Sequence, residues 1–357
     1  MSSSGNQSIG PRLSRRLIAF FPTQICSIAK QGMWAPSGLK PIFSTKTFPN
    51  FYSIATGLYQ EVHGLVDNNF YDPKLNLSFN IFEDASRSQS HWYEKGEPVW
   101  ATARRQRLKV GNLFWPGSDI SINGMRPDFW RKYDSSVPYR QRVDTVMSWL
   151  ERERVDLAMM YVNEPDWTAH YTGPLSDETR RKIEDLDAMV GHMMGRLKQS
   201  NLLNSVNLLL LSDHGMAGPN EVDNQIVLSN YLFLKSNIRR IPSSGTVAHI
   251  DPMPGKLMYV YNRLKNAHPH MKVYLKKDLP QRWHYSQSDR IMPIVAVADE
   301  GYVINRVSGD FVVADRMVIK MNFLLTLCVP LVFPLSSSRG TRKSTSASMA
   351  TTTSCPQ

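Results

Sequence analysis

Two apolar runs in this chain each end in side chains able to hold a metal ion. The run 155–162 (VDLAMMYV) is followed by Glu164, Asp166 and His170, and the run 206–211 (VNLLLL) by Asp213 and His214. A carboxylate oxygen beside an imidazole nitrogen suits Zn²⁺, which takes hard and borderline ligands together. A single Asp–x–x–x–His is ordinarily a surface loop. Two such clusters at strand ends, on either side of one helix, point to chemistry. The third element is Thr45-Lys46-Thr47-Phe48-Pro49-Asn50. Pro49 suits the opening turn of a helix over 48–59. Thr47 then lies at a helix N-terminus, where free N–H groups and the dipole favour an anion. A threonine hydroxyl there is ordinarily an N-cap. It becomes a nucleophile when something lowers its pKa, as a coordinated Zn²⁺ does.

Positioning these groups requires rigid elements. In 177–199, Ile183, Leu186, Met189, Val190, Met193, Met194 and Leu197 recur at helical spacing, with Asp177 and Glu178 in the first turn; this predicts a helix whose methionines pack in the core. Strand–helix–strand order with largely apolar strands predicts an α/β fold, its mostly parallel central sheet covered by helices on both faces. In such sheets functional side chains collect beyond the carboxyl ends of the strands.

Composition narrows the function classes. Of 357 residues, 42% are hydrophobic and 20% charged, enough for a sizeable core. The net charge of +11 is confined to the ends. Residues 1–60 hold six Lys/Arg and 316–357 hold five, with no acid in either; removing these eleven from 42 leaves 31 basic against 31 acidic residues in 61–315. No basic groove follows, and specific nucleic-acid binding is not expected. Cys26, Cys328 and Cys355 cannot make a disulfide framework. No apolar run is long enough for a membrane helix; the nearest, 321–335, is broken by Pro330 and Pro334 and reads as a buried strand or a tail. Arg12, Arg15 and Arg16 precede a hydrophobic segment too short for a signal peptide. Three zones result: an atypical segment 1–22, a continuous body 23–305, and a divergent basic tail 306–357 whose Ser/Thr-rich part, 336–357, is expected to be disordered.

Lys46-Thr47-Phe48-Pro49-Asn50, His63-Gly64 with Asp67-Asn68, 112–117 (NLFWPG), Glu164-Pro165-Asp166 with His170, and 212–216 (SDHGM) resemble in order and spacing the ectonucleotide pyrophosphatase/phosphodiesterase family. That family is a branch of the alkaline phosphatase superfamily, and the similarity runs from about residue 25 to about residue 304. The resemblance implies an alkaline-phosphatase-like fold with a phosphodiesterase catalytic domain at 23–305. It further implies two zinc ions and hydrolysis of phosphodiester or pyrophosphate bonds in small-molecule substrates of nucleotide or phospholipid type. Carried over by motif, Thr47 matches the nucleophile and Asn68 the residue that hydrogen-bonds a phosphate oxygen. Asp166 and His170 match ligands of one zinc; Asp213 and His214, with Thr47, match those of the other. Phe48 and Tyr171 either flank the retained or leaving group or serve as packing.

Two ligands of the family pattern have no counterpart. Its first zinc aspartate lies in an apolar strand upstream of the nucleophile, whereas this sequence has no acid before Glu61 and residues 1–22 stand in that strand's place. Its last zinc histidine follows a strand resembling 294–304, whereas no histidine follows His284 here. His249 and His284 are the remaining candidates to substitute. The domain therefore reads as truncated at both ends, with one ligand fewer for each zinc and a central strand lost, which would open two sheet edges. Ala169 stands where the family usually has glycine. A catalytically inactive isoform binding a phosphate ligand or partner is the competing reading, and a basic tail attracted to anionic membranes a third. The resemblance implies an extracellular or cell-surface location, with sequons at Asn6 and Asn76; the chain as written carries no export signal.

Overall fold

The computed structural model describes residues 23–217, 224–308 and 322–328, the last through backbone pairing. The expectations for 1–22 and for 336–357, and the sequon at Asn6, fall outside these residues.

The chain enters through α1 (Gln24–Gln31), α2 (Thr47–Thr56) and the single turn α3 (Gln60–His63), then a hairpin of β1 (Asn69–Asp72) and β2 (Leu77–Asn80). Next come α4 (Val99–Arg105), β3 (Val110–Leu113), β4 (Phe129–Arg131) and α5 (Tyr139–Ser148). The donor-bearing stretch is β5 (Leu157–Pro165), α6 (Asp166–Thr172), α7 (Asp177–Gln199) and β6 (Asn207–Ser212). The remainder is β7 (Gln225–Val227), β8 (Ile238–Ser243), β9 (Val247–Pro252), α8 (Leu257–Leu264), β10 (Met271–Leu275), β11 (Ile294–Ala298), β12 (Val303–Asn305) and β13 (Asn322–Cys328).

The five-stranded main sheet runs β4-β3-β5-β13-β6. β3 pairs parallel with β4 and with β5, while β13 is antiparallel to both β5 and β6. The sheet is thus parallel except for one central strand. This strand alters the expectation of open edges: 322–328, within the apolar run of the sequence, pairs with β5 on one side and β6 on the other. An antiparallel strand satisfies two parallel neighbours because its N–H and C=O groups alternate toward both sides.

β5 shows why helices cover both faces. Leu157 and Met159 point into one core with Phe51, Trp100 and Trp115 beneath α2 and α4. Ala158, Met160 and Val162 point into the other, beneath α5 and α7. α7 keeps the predicted bounds, its N-cap Ser176 accepting the Thr179 N–H. Ile183, Leu186, Met189, Val190, Met193 and Leu197 are buried, and Met194 is partly so. Each fully buried side chain contributes roughly 1.5–3 kcal/mol. α2, expected to reach residue 59, stops at Thr56 because Gly57 takes a left-handed φ of 69° and its N–H bonds the Ser53 carbonyl.

A second, antiparallel sheet, β10-β11-β9-β8, packs α8 over a third core containing Ile250, Val260 and Ile294. The stretch 294–304 divides into two strands: β11 joins this sheet and β12 pairs parallel with β7. Among the described residues no helix is long and apolar enough to cross a membrane.

Candidate active site

The site forms at the carboxyl ends of β5 and β6, opposite the start of α2. Ser44 and Thr45 adopt positive φ (66° and 39°), turning the chain sharply into the helix. Asn50 stitches this turn: its Oδ1 accepts the Ile42 N–H and its Nδ2 donates to the Lys46 carbonyl. Lys46, not Thr47, occupies the N-cap. Thr47 is the first helical residue, and its Oγ1 lies 3.4 Å from Nε2 of His214, a residue 167 positions away.

One of the orphan amides of α2 has a partner: the Phe48 N–H donates to Asn68 Oδ1 at 3.0 Å. Asn68 is buried, and its carboxamide NH₂ is the end left to donate to another group. Asp67 beside it is also buried, and Oδ1 accepts the Asn69 N–H, shaping the turn that carries Asn68.

At the end of β6, Asp213 and His214 are buried, with Asp213 Oδ2 3.0 Å from His214 Nε2. The Ser212 hydroxyl donates to the His214 carbonyl, and His214 Nδ1 lies 3.3 Å from the Gly215 carbonyl. At the end of β5, Asp166 opens α6 and His170 follows one turn later, Oδ1 to Nε2 3.4 Å. Glu164 supports this helix by accepting both the N–H and the hydroxyl of Thr168. Burial nevertheless raises the Glu164 pKa above the usual carboxylate range.

The two donor groups face one region. The first residues of β13 lie between them, Asn322 opposite Pro165 and Phe323 opposite Ser212. Burial first, then the nearby Tyr133 and the carboxylates of both Asp166 and Asp213, push the Tyr161 phenol well above its ordinary pKa. Tyr161 therefore sits within electrostatic reach of both clusters.

Zinc bonds of about 2.0–2.1 Å place the donors of a tetrahedral shell about 3.3 Å apart. The separations of 3.4 Å (Thr47 to His214), 3.0 Å (Asp213 to His214) and 3.4 Å (Asp166 to His170) match that edge length. The donor chemistry fits zinc, with three protein donors on the Thr47 side and two on the other. Among the described residues, no three His, Cys, Asp or Glu side chains gather into one set. His249 and His284 do not complete either set: His249 Nε2 is 2.9 Å from the Tyr285 hydroxyl, and His284 stacks on Tyr59 at 3.9 Å.

The two aromatic candidates separate. Phe48 is partly buried, its ring 5.8 Å from Phe79 in the core beneath α2. Tyr171 is exposed on α6. Sequence reasoning assigned no part to Asn50, Asp67 or Tyr161; Asn50 and Asp67 carried a signal, as members of the Thr47 and Asn68 motifs whose hydrogen bonds shape the turns there, whereas Tyr161 lies inside an apolar run and carried none.

A family model described as type I phosphodiesterase/nucleotide pyrophosphatase matches residues 18–311. Ectonucleotide pyrophosphatase/phosphodiesterase family member 1 of Homo sapiens is 41% identical over 288 residues, covering 77% of this chain and 30% of that protein. Bis(5'-adenosyl)-triphosphatase enpp4 of Xenopus laevis is 38% identical over 276 residues, covering 75% of this chain and 58% of that one. The chain thus spans less than two thirds of either relative. Among solved structures, murine ectonucleotide pyrophosphatase/phosphodiesterase 5 superposes with a TM-score of 0.75 at 33% identity, over 82% of this chain and 79% of that one. Its inactive threonine-to-alanine form, in complex with AMP, gives 0.73 at 34%, over 81% and 78%. The alkaline-phosphatase-like α/β fold implied by the sequence resemblance therefore holds.

Proposed function

The chain belongs to the type I phosphodiesterase/nucleotide pyrophosphatase family, and we propose that it hydrolyses phosphodiester or pyrophosphate bonds of nucleotide-type substrates with Thr47 as nucleophile. The observation that carries this reading is the approach of Thr47 Oγ1, at the N-terminus of α2, to His214, which is itself paired with Asp213. The nucleotide class rests on the relatives: one is a bis(5'-adenosyl)-triphosphatase, and another, with a threonine replaced, holds AMP.

Thr47, Asp213 and His214 would hold one zinc, Asp166 and His170 the other. Zinc, when bound, lowers the pKa of a hydroxyl it touches and offsets charge building on phosphoryl oxygens. Thr47 Oγ1 attacks phosphorus in line, forming an Oγ1–P bond as the bond to the leaving oxygen breaks, and the hydroxyl proton passes through solvent to that leaving oxygen. Water then cleaves the phosphothreonine, its hydroxyl going to phosphorus and its proton restoring Thr47. Asn68, its Oδ1 held by the Phe48 N–H, turns its NH₂ toward a phosphoryl oxygen.

The test is zinc stoichiometry on the purified chain, with hydrolysis of a chromogenic nucleotide phosphodiester by wild type and Thr47→Ala. Bound zinc with turnover abolished in Thr47→Ala is the expected result. Turnover that survives Thr47→Ala overturns the nucleophile assignment. The second reading, an inactive isoform that binds a phosphate ligand, is favoured by the small donor set at Asp166 and His170. Folded protein with less than one zinc and no turnover would select it.

An extracellular location is part of the proposal. The sequon Asn76 is exposed at the turn of the β1–β2 hairpin, its Oδ1 accepting the Tyr71 hydroxyl. Loss of an endoglycosidase-sensitive mass in Asn76→Gln, expressed through a secretory route, would support it.

A further inference from the structure

His249 and Tyr285 form a buried polar pair that the reaction above leaves unused. Residues of β9 alternate between two cores: Ala248 and Ile250 face the third core, whereas Val247 faces the core beneath α2, which also holds Tyr285, Leu65 and Val66. His249, in register with Val295 of that same core, points the way Val247 does. His249 is 0% exposed and Tyr285 1%.

The hydrogen bonds of the pair have one consistent direction. The Tyr285 hydroxyl donates its single proton to the Val66 carbonyl at 2.6 Å, so its oxygen accepts from His249 Nε2, 2.9 Å away. The imidazole then carries its proton on Nε2, and Nδ1 is left buried without a hydrogen-bond partner among the described residues. An unpartnered buried nitrogen costs stability. What the arrangement fixes is the direction of the Tyr285 hydroxyl.

Tyr285 touches both segments that present the phosphate-handling groups. Val66 lies two residues before Asn68, and its carbonyl belongs to the peptide that leads into Asp67. The Tyr285 ring meets that of Phe43 at 72°, centroids 4.9 Å apart, and Phe43 in turn stacks on Trp283 at 4.0 Å. Phe43 stands immediately before Ser44 and Thr45, whose positive φ turns the chain toward Thr47. The circuit closes at the site, where the Phe48 N–H donates to Asn68 Oδ1. The turns that lead to Thr47 and to Asn68 are thus joined twice, once directly and once through Tyr285. We infer that Tyr285, oriented by His249, is a positioning residue: its hydroxyl holds the Val66–Asp67 peptide so that the Asn68 NH₂ meets a phosphoryl oxygen. This rests on the nucleotide reading given under Proposed function.

The test is equilibrium binding of AMP by calorimetry, with zinc present, to wild type, Tyr285→Phe, Asn68→Ala and the double variant, each shown to be folded by circular dichroism. Phenylalanine keeps the ring against Phe43 and removes only the hydroxyl. Tyr285→Phe should weaken AMP about fivefold, in keeping with one misaligned hydrogen bond. In the Asn68→Ala background the same change should weaken it less than about twofold, because the group it acts through is gone. His249→Gln, whose amide can present an N–H near the Nε2 position, should bind AMP as wild type does, and His249→Leu should match Tyr285→Phe. Unchanged affinity in Tyr285→Phe, or the same loss with and without Asn68, overturns the positioning role and leaves the nucleotide reading standing. No AMP binding by folded wild type overturns the nucleotide reading, and the positioning role with it.

Discussion

Replacing Arg290 by methionine should be among the most damaging single changes in this protein, although Arg290 touches none of the candidate catalytic groups. Its side chain is 2% exposed. Nε donates to Asp72 Oδ2 at 2.7 Å, and Nη1 donates to the Gly64 carbonyl at 2.8 Å and the Trp92 carbonyl at 3.3 Å. The guanidinium carbon lies 5.2 Å from the ring centres of both Phe70 and Trp92. Methionine keeps the apolar stem and removes every donor. Asp72, 4% exposed, then retains only the Lys74 and Leu75 N–H groups on its Oδ1. Breaking a buried ion pair from one side costs about 3–5 kcal/mol, and an orphaned buried carbonyl a further 1–3 kcal/mol or so. A loss of roughly 4–8 kcal/mol is expected, a large share of a typical 5–15 kcal/mol total. The assay is urea unfolding of wild type, Arg290→Met, Asp72→Asn and the double variant. The double variant should be less damaged than the sum of the singles, because the uncompensated charge is gone. Gly64 and Asp72 also bracket Asn68 in sequence, so zinc-loaded Arg290→Met should lose phosphate-ligand affinity. An Arg290→Met chain within 1 kcal/mol of wild type, or additivity in the cycle, would refute the view that this network closes a buried charge.

Two further outcomes follow from the core. Burial, joined by the charge of Arg290 at His63 and those of Lys46 and Lys276 at His249, pushes both imidazoles down to about 3. The folded state then holds them neutral while the unfolded state protonates near 6.5, so stability falls as pH drops from 6.5 toward 3. Each contributes roughly 2 kcal/mol of loss by pH 5; urea midpoints at pH 7 and 5 should therefore fall markedly, and unchanged midpoints would contradict the burial. Leu325→Pro should also unfold the main sheet cooperatively. Leu325 lies in register with Met160 on β5 and Leu210 on β6, and proline can neither donate in the ladder nor sit comfortably in a central strand. An unaltered melting temperature would mean that 322–328 does not pair there.

Much of the site was legible because its signals are local. An apolar run that stops at Asp166 or Asp213 marks the mouth of a sheet, and Pro49 marks a helix start, whatever the rest of the chain does. The same holds for α7, whose 3.6-residue period and acidic first turn gave both ends. Boundaries failed where a single backbone angle decides them, as at Gly57, or where one apolar stretch serves two sheets, as in 294–304.

Residue types and their spacing set the chemistry on offer: a threonine at a helix start, paired carboxylates and imidazoles at strand ends, and strands apolar enough to be buried. The tertiary structure alone decided which of these meet. His214 reaches Thr47 across 167 residues, His249 and His284 are drawn to aromatic partners instead, and 322–328 enters the middle of the sheet in the reverse direction. Periodicity and spacing report only on neighbours along the chain. Which distant segments pair depends on how the strands are ordered and which cores they bury, and that is fixed only when the whole chain folds.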